Sequence, residues 1–226
     1  LAAATASSTS AAAGITRDTA DVDGGAIVRG EDGEPTGIFK DNAERLVNRA
    51  RPLRTAAQQD AALDAAMRYV ASNGVTSVHH VGTWDDLAVF QRARESETLR
   101  TRIYAAVPID TWERLRDHVD AHGRGDDWLR VGALKGFVDG SLGSHTAAML
   151  ESFTDAPADR GLFVNTLDDL YAWTSGADAA GLHMIVHAIG DHAIRAQLDV
   201  YERVARENGP RDRRPRELDP RRVPRD

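Results

Sequence analysis

The chain has 226 residues, a formal net charge of −7, 42% hydrophobic residues and no cysteine. This length and composition predict one globular domain with a substantial core. The excess of acidic side chains argues against nucleic acid as a partner, and the lack of cysteine excludes disulfides and thiolate metal ligands. No apolar stretch approaches the roughly 20 residues that a membrane helix needs, so we expect no membrane partner and a cytoplasmic location.

The first fifty residues predict small, irregular elements. Residues 1–13 are rich in Ala, Ser and Thr and predict a weak helix or a frayed arm. Residues 26–29 and 36–39 are short β-prone runs separated by polar turn residues, which predicts a small β-hairpin inserted near residues 24–40. A short helix is expected over residues 41–49.

From residue 55 onward, apolar runs alternate with helical patterns. Four strands are predicted, near residues 75, 102, 130 and 182. Five helices are predicted, over residues 55–73, 85–94, 111–122, 167–180 and 193–207. This alternation of strands and helices is typical of a parallel sheet in an α/β fold.

The spacing fits part of a TIM-type (β/α)8 barrel, about strands 2 to 5 with their helices, in which functional groups lie at the C-terminal strand ends. A complete barrel has eight such units, so we expect a fragment of a longer enzyme. The expected domain covers residues 1–208. Residues 209–226 are rich in Pro and Arg and are expected to form an irregular, solvated tail.

The third predicted strand carries a lysine inside an apolar run. Because side chains alternate along a strand, Lys135, Phe137 and Asp139 are expected on the same side. Burying an ammonium ion costs several kcal/mol unless the ion is paired or chemically changed. Three interpretations stay open: an ion pair with a carboxylate such as Asp139, a neutral Schiff-base lysine, or a lysine carboxylated by CO2 that bridges metal cations.

Histidines at the predicted strand ends are further candidates. His187 lies where an apolar strand emerges, and is either a metal ligand or a buried histidine bonded to a backbone carbonyl. His79 and His80 are adjacent and point to opposite faces, so at most one of them faces a site. His145 could contact a substrate, although a surface role is the stronger interpretation. Three other histidines are expected to be solvated on helices: His118, His122 and His192.

The glycine turn at residues 139–144 has an alternative meaning. Glycine turns that lead into a helix, here predicted over residues 146–150, can bind anions through their N–H groups. The spacing matches neither a Walker A loop nor a dinucleotide motif. A phosphate site is therefore a weak alternative.

Two segments carry a family resemblance. Residues 134–148 read Leu-Lys-Gly-Phe-Val-Asp-Gly-Ser-Leu-Gly-Ser-His-Thr-Ala-Ala, and residues 186–193 read Val-His-Ala-Ile-Gly-Asp-His-Ala. Together and in order they resemble the YtcJ-like branch of the amidohydrolase superfamily. Further matches are Gly-Ile-Thr-Arg-Asp-Thr from residue 14, Gly-Glu-Pro-Thr-Gly-Ile from residue 33 and Gly-Val-Thr-Ser-Val-His from residue 74.

The resemblance implies a metal-dependent barrel that hydrolyses carbon–nitrogen bonds of non-peptide amides, or related bonds, through a metal-activated water. It implies a divalent cofactor, expected to be zinc, as one or two ions. Lys135 would correspond to a strand-four lysine that can be carboxylated, and His187 to a strand-five metal histidine. Asp139, His145 and His79 are expected to contact a small-molecule amide-type substrate.

Several parts of the family pattern are missing from the sequence. They are the His-x-His pair of strand one, the Ile-Glu-His-Ala-Gln segment expected after the arginines near Arg213, and the last-strand aspartate. His145 stands where the family often carries arginine. At most two metal ligands are therefore present, whereas catalytic zinc usually keeps three protein ligands. No catalytic residue is assigned, because the base that the resemblance implies is the missing last-strand aspartate.

These gaps lead to expectations about the isolated chain. An incomplete barrel exposes sheet edges, so the chain is expected to be inactive and to be molten, aggregated or paired into a homodimer. Two alternatives to the hydrolase stay open. One is a Schiff-base lyase of the aldolase type that uses Lys135, and the other is a non-catalytic truncated product.

Overall fold

Two β-sheets organise the chain. The computed structural model describes residues 2–4, 7–211, 213 and 216–217. One sheet has three strands in the order β1-β3-β2, and the other has five strands in the order β4-β5-β6-β7-β8. Within the described residues no helix combines the length and the apolar character needed to cross a bilayer.

The three-stranded sheet is antiparallel and forms a small lobe. Its strands are β1 (Ala2–Ala4), β2 (Gly25–Arg29) and β3 (Pro35–Asp41), with the helices α1 (Ser7–Ala12) and α2 (Glu44–Asn48) beside it. Its core is formed by five buried apolar residues, Ile15, Ile27, Phe39, Ala43 and Val47.

The beginning of the chain follows the prediction in part: α1 (Ser7–Ala12) is a helix within residues 1–13, as expected. Residues 2–4 form a strand instead of a weak helix, and Ala3 lies opposite Phe39 in the pairing of β1 with β3. The physical reason is tertiary. The hairpin of β2 and β3 leaves one edge of β3 with unpaired backbone groups, and a neighbouring extended segment can satisfy them.

The five-stranded sheet is parallel. Its strands are β4 (Ser77–Val81), β5 (Arg102–Pro108), β6 (Leu129–Phe137), β7 (His183–His187) and β8 (Arg216–Glu217). The helices are α3 (Ala56–Ser72), α4 (Trp84–Glu95), α5 (Trp112–His122), α6 (Leu167–Ala179) and α7 (Asp191–Glu207). The four strands and five helices expected from periodicity are all present, with small shifts at their ends.

Local capping explains where two of the helices begin. Thr55 accepts a hydrogen bond from the N–H of Gln58, and the Gln58 side chain accepts the N–H of Thr55. Thr83 and Asp86 form the same reciprocal arrangement at the start of α4. Each pair satisfies two N–H groups that a helix cannot satisfy internally, which stabilises the first turns of α3 and α4.

The main core lies between the sheet and its helices, and the opposite face of the sheet is lined by smaller side chains. Leu87, Leu115 and Leu134 are among the largest fully buried side chains. On the other face, Ala106, Ala133 and Ile185 form a separate buried cluster. Small residues here leave space on the face that carries Lys135.

Most of the tail predicted over residues 209–226 lies outside the described residues, but its described part is more ordered than an irregular, solvated segment. Asp178 on α6 is fully buried and binds the guanidinium groups of Arg211 and Arg213, each at 2.8 Å. Beyond them, β8 pairs with β7, with Ile185 opposite Arg216. A buried carboxylate needs paired cations, and it therefore orders this part of the segment.

Candidate functional site

The candidate site lies where β6 and β7 end side by side. Phe137 and His187 are partners in the parallel register, so both side chains lie at the C-terminal ends of their strands. Functional groups gather at such ends in parallel α/β folds. A cleft of about 390 Å³ opens there. It is lined by Asp41, Asn42, Glu44, Phe137, Asp139, Gly140, Ser141, Val164 and His187.

Lys135 is buried beside this cleft with only 6% of its surface exposed. Its Nζ donates a hydrogen bond to the carbonyl of Gly136 at 2.5 Å and lies 3.8 Å from the centroid of the Phe137 ring. Burial lowers the pKa of Lys135 to about 7. The amine is therefore much closer to its neutral form at physiological pH than an ordinary lysine.

The ion pair between Lys135 and Asp139, one of the three interpretations of the lysine, is wrong. Within the described part of the chain no carboxylate oxygen lies within 4 Å of Lys135 Nζ, and Asp139 faces backbone N–H groups instead. An unpaired buried ammonium is costly, which explains the lowered pKa. The Schiff-base and carboxylated-lysine interpretations both need a neutral amine and stay open.

Asp139 is fully buried and joins three separate segments. Its Oδ2 accepts the N–H groups of Ala148 and Gly190, each at 2.8 Å, and its Oδ1 accepts the N–H of Ile189 at 3.0 Å. Burial raises the pKa of Asp139, and the three N–H groups offset part of that rise. A Cβ at residue 190 would collide with the backbone of Ala148, so this close approach requires glycine.

His187 lies between the cleft and the glycine turn. Its Nε2 donates a hydrogen bond to the carbonyl of Gly140 at 2.7 Å and lies 3.9 Å from Asp139 Oδ1. Its ring centroid is 5.5 Å from that of Phe137. Because a carbonyl can only accept, Nε2 carries the proton here and Nδ1 holds the lone pair when the ring is neutral. Coordination through Nε2 would require this hydrogen bond to break.

The other predicted substrate-binding residues lie elsewhere. His79 packs against Tyr104, with ring centroids 5.2 Å apart. His145 lies 3.2 Å from Asp155 Oδ2 and packs against Phe153. Neither histidine is among the described residues that line the cleft. Their substrate roles stay predictions.

The glycine turn does not lead into a helix, so the predicted helix over residues 146–150 is wrong. The Ser144 hydroxyl lies 2.7 Å from those of Ser141 and Thr146, and the N–H of Gly140 donates to the carbonyl of Thr146 at 3.0 Å. These bonds close the turn on itself. The anion-binding interpretation loses its main support, because it depended on a helix N-terminus at this point.

Three cleft residues from the small lobe were not predicted. Asp41 is the last residue of β3, Asn42 follows it, and Glu44 is the first residue of α2. The lobe contacts the segment after β6 through Asn42, whose Nδ2 donates to the carbonyls of Asp23 at 2.9 Å and Val164 at 2.8 Å. Asn42 thereby fixes the position of the neighbouring carboxylates at the cleft.

Comparison with known proteins decides the family. The sequence model of the amidohydrolase family matches residues 2–222. The chain belongs to this amidohydrolase family. The YtcJ resemblance is confirmed. The chain is 33% identical over 211 residues to YtcJ of Bacillus subtilis strain 168, which is described as an amidohydrolase. The aligned residues cover 89% of this chain and 39% of YtcJ.

The chain is also similar to a plant protein. Protein LONG AFTER FAR-RED 3 of Arabidopsis thaliana is 39% identical over 214 residues, which cover 89% of this chain and 37% of that protein. The chain therefore spans well under half the length of these two relatives.

Two solved structures share the architecture. An uncharacterized metal-dependent hydrolase of Pyrococcus furiosus matches with a TM-score of 0.68 and 25% identity, covering 90% of this chain and 42% of that one. One of Pyrococcus horikoshii OT3 matches with a TM-score of 0.67 and 26% identity, covering 79% of this chain and 38% of that one. The parallel sheet accordingly has the form of a curled half-barrel.

The fit of a metal to this amidohydrolase-family site is partial. Lys135 and His187 lie on neighbouring strands and offer a near-neutral amine and an imidazole. Across residues 2–4, 7–211, 213 and 216–217, however, no group of three or more His, Asp or Glu side chains is arranged to hold a metal ion. Since catalytic zinc usually keeps three protein ligands, the described residues supply only part of such a centre.

Proposed function

We propose that this chain contributes to the active site of a metal-dependent hydrolase that cleaves carbon–nitrogen bonds of non-peptide amides or related compounds. The observation that carries the proposal is the buried, near-neutral amine of Lys135 at a strand end, next to the strand that presents His187. Family membership and the resemblance to metal-dependent hydrolases support it.

Each residue has a definite task in this proposal. A neutral Lys135 amine can react with CO2 to give a carbamate whose oxygens suit a divalent cation such as zinc, and His187 adds a nitrogen ligand. At least one further ligand would come from outside the described residues. A bound cation would polarise the substrate carbonyl and lower the pKa of a water molecule toward 7.

The surrounding residues position these groups and admit the substrate. Lys135 and His187 lie on paired strands, and Asp139 holds the end of β6 against the start of α7 just beyond them. Phe137 and Val164 supply an apolar wall to the cleft. A small amide with an apolar substituent fits a cleft of this composition and size.

The proposal is tested first through metal content. The full chain is loaded with Zn²⁺ and bicarbonate, dialysed and measured by elemental analysis, alongside Lys135→Ala, His187→Asn and the control Lys40→Ala. We expect both site variants to lose metal while the control keeps it, and Lys135→Ala to regain metal with a short carboxylic acid. Equal metal content in all four proteins would remove Lys135 and His187 from the ligand set.

The reaction class is tested with a panel of N-acyl amides and cyclic imides. Because the described residues supply only part of the metal centre, we expect at most weak hydrolysis by the loaded chain, and this activity should be lost in Lys135→Ala and partly restored by a short carboxylic acid. A Lys135→Ala variant with full hydrolysis and no added acid would contradict the ligand role. Native mass spectrometry of the wild type should show a mass increase equal to one CO2 on the lysine.

A Schiff-base lyase is the second candidate, and the lowered pKa of Lys135 also favours it, because a neutral amine can attack a carbonyl. Borohydride reduction in the presence of a small ketone or aldehyde separates the two. Trapping on Lys135, with none on Lys40, would favour the lyase. Failure to trap, together with metal bound at the site, would favour the hydrolase.

A further inference from the structure

The last two turns of α5 carry a pair of histidines at the end of the sheet opposite to the candidate active site. His118 and His122 are four residues apart on one helix, so they lie on the same face. Their ring centroids are 4.8 Å apart and their planes are inclined by only 29°. Both line a cavity of about 180 Å³ beside Leu129 and Val131 at the start of β6.

We propose that His118 and His122 form a second metal site, a two-histidine chelate for a divalent transition cation such as Cu²⁺, Ni²⁺ or Zn²⁺. Imidazole nitrogens suit these cations, whereas Mg²⁺ and Ca²⁺ prefer oxygen ligands. The site is distinct from the Lys135 and His187 centre and does not depend on the proposed hydrolase activity.

The first support is the tautomer of the His122 ring and the hydrogen bonding of the two rings. His122 Nδ1 lies 3.1 Å from the carbonyl of His118, so Nδ1 donates its proton and Nε2 keeps its lone pair. A backbone carbonyl that fixes the tautomer in this way is the usual partner of a metal-binding histidine. The ring nitrogens of His118 make no hydrogen bond to any other residue that the structure describes.

The second support is the placement of the His118 ring. The side chain is half-buried and packs edge-on against Trp84, with ring centroids 5.9 Å apart. Arg114 lies above the Trp84 ring, 3.9 Å from its centroid. This packing restricts the conformations of His118, so less freedom is lost when the ring binds a cation.

The third support is the electrostatic environment of the cavity. Glu95 and Asp126 line it, and the C-terminal end of α5 points its partial negative charge toward it. Arg94 opposes a bound cation, but it is paired with Asp126 at 2.8 Å. Asp126 and Arg94 therefore offset each other, and Glu95 and the C-terminal end of α5 are the contributions from the lining that favour a positive ion.

The expected affinity is moderate. Because no described group of three His, Asp or Glu side chains is arranged around a metal, water molecules would complete the coordination shell. Such a site releases and rebinds its ion readily, and its occupancy depends on which cation is present. The order of affinity should follow the general series for nitrogen ligands, with Cu²⁺ above Ni²⁺ and Zn²⁺.

Calorimetric titration of the full chain, without an affinity tag, tests the site. NiCl2 is titrated into a His187→Asn background, which removes the first site from the measurement. We expect one binding event that weakens about tenfold or more in both His118→Ala and His122→Ala, because each loses one of two linked ligands. His192→Ala, which removes an exposed histidine from α7, should bind Ni²⁺ normally.

A second control keeps the histidine count and breaks the spacing. In the double variant Asp120→His with His122→Ala, the second histidine moves to a position two residues from His118 and points away from it. Ni²⁺ affinity should fall as in His122→Ala. Full affinity in this variant would mean that histidine number alone explains binding and would overturn the chelate.

Fluorescence supplies a readout of position. Trp84 lies with its ring centroid 5.9 Å from that of His118, so bound Cu²⁺ should quench its emission. The quenching should disappear in Trp84→Phe while calorimetry still detects binding. Unchanged Ni²⁺ affinity in His118→Ala or in His122→Ala, with circular dichroism showing a folded chain, would also overturn the proposal.

Discussion

Asp139 Oδ2 accepts the N–H of Gly190 at 2.8 Å, which ties the end of β6 to the first residue before α7 across 51 positions of sequence. The carboxylate therefore lies at the N-terminus of a helix, where the exposed N–H groups and the helix dipole favour negative charge. Lys135 and His187 already lie on paired strands, and this bond adds a link between the segments that follow those strands. It gives Asp139 a positioning role that does not require contact with a substrate.

The first prediction concerns Asp139. Replacing it with Ala leaves three buried N–H groups without an acceptor and should lower the free energy of unfolding by about 3 kcal/mol. Asp139→Asn keeps one oxygen and should cost about 2 kcal/mol. Urea denaturation measures both values. Asp191→Asn is the control, because Asp191 also accepts a backbone N–H, from Leu150 at 2.8 Å, but is not fully buried. An equal loss in the control would contradict the special role of Asp139.

The second prediction concerns the contact between the small lobe and the parallel sheet. Asn42→Asp replaces a donor with a carboxylate that faces the carbonyls of Asp23 and Val164. We expect a loss of about 1–3 kcal/mol, because two carbonyls lose their donor and face a negative charge. Compared with the wild type, Asn42→Asp should increase the rate of amide hydrogen exchange in β3 more than in β6. Asn48→Ala, an exposed change in the same lobe, is the control. Exchange in β3 of Asn42→Asp that is equal to or slower than in the wild type would refute the prediction.

The third prediction concerns pH. Burial by itself raises the pKa of Asp178, but hydrogen bonds from Arg213 and Asn208 and the nearby arginine charges outweigh it, so the net pKa is lowered. Because the folded-state pKa lies below the unfolded-state value, the stabilisation is complete above that value, near 3.8, and is lost as pH falls through the lower folded-state pKa.

Asp178→Asn removes this contribution. The variant should lose about 2 kcal/mol of unfolding free energy at pH 7, since charge-assisted hydrogen bonds to two arginines are weakened. The difference from the wild type should shrink as pH falls below about 4. Unfolding curves from pH 7 to pH 3 measure it, and a difference that stays constant over this range would exclude the predicted linkage.

The fourth prediction separates a functional lysine from a structural one. Lys135→Met replaces a buried amine that has no carboxylate partner among the described residues with an apolar chain of similar length. We expect the free energy of unfolding to rise by about 1–2 kcal/mol. Lys40→Met, at the chain's other lysine, should change it by less than about 0.5 kcal/mol. Thermal and urea unfolding give the comparison. A clear loss of stability in Lys135→Met would assign the lysine a structural role.

The sequence by itself determined the elements and their order. The helical spacing after Thr55 and the β-branched and apolar strand runs are local patterns, and each produced an element close to its predicted place, whereas the helix expected over residues 146–150 did not form. Local sequence patterns also predicted that Lys135 lies on a strand and that His187 lies at a strand end. The motifs around them were specific enough to indicate the family, which the comparisons confirm.

Only the tertiary structure decided the partners of these residues. The spacing of Lys135 and Asp139 suggested an ion pair, yet the carboxylate binds N–H groups of segments that follow it by 9 to 51 positions. The contact of Asn42 with Val164 leaves no periodic pattern in the sequence. The same is true of the binding of Asp178 to the two arginines that follow α7. Alternation and capping are properties of neighbouring residues, whereas the satisfaction of a buried polar group depends on which distant segments the fold brings to it.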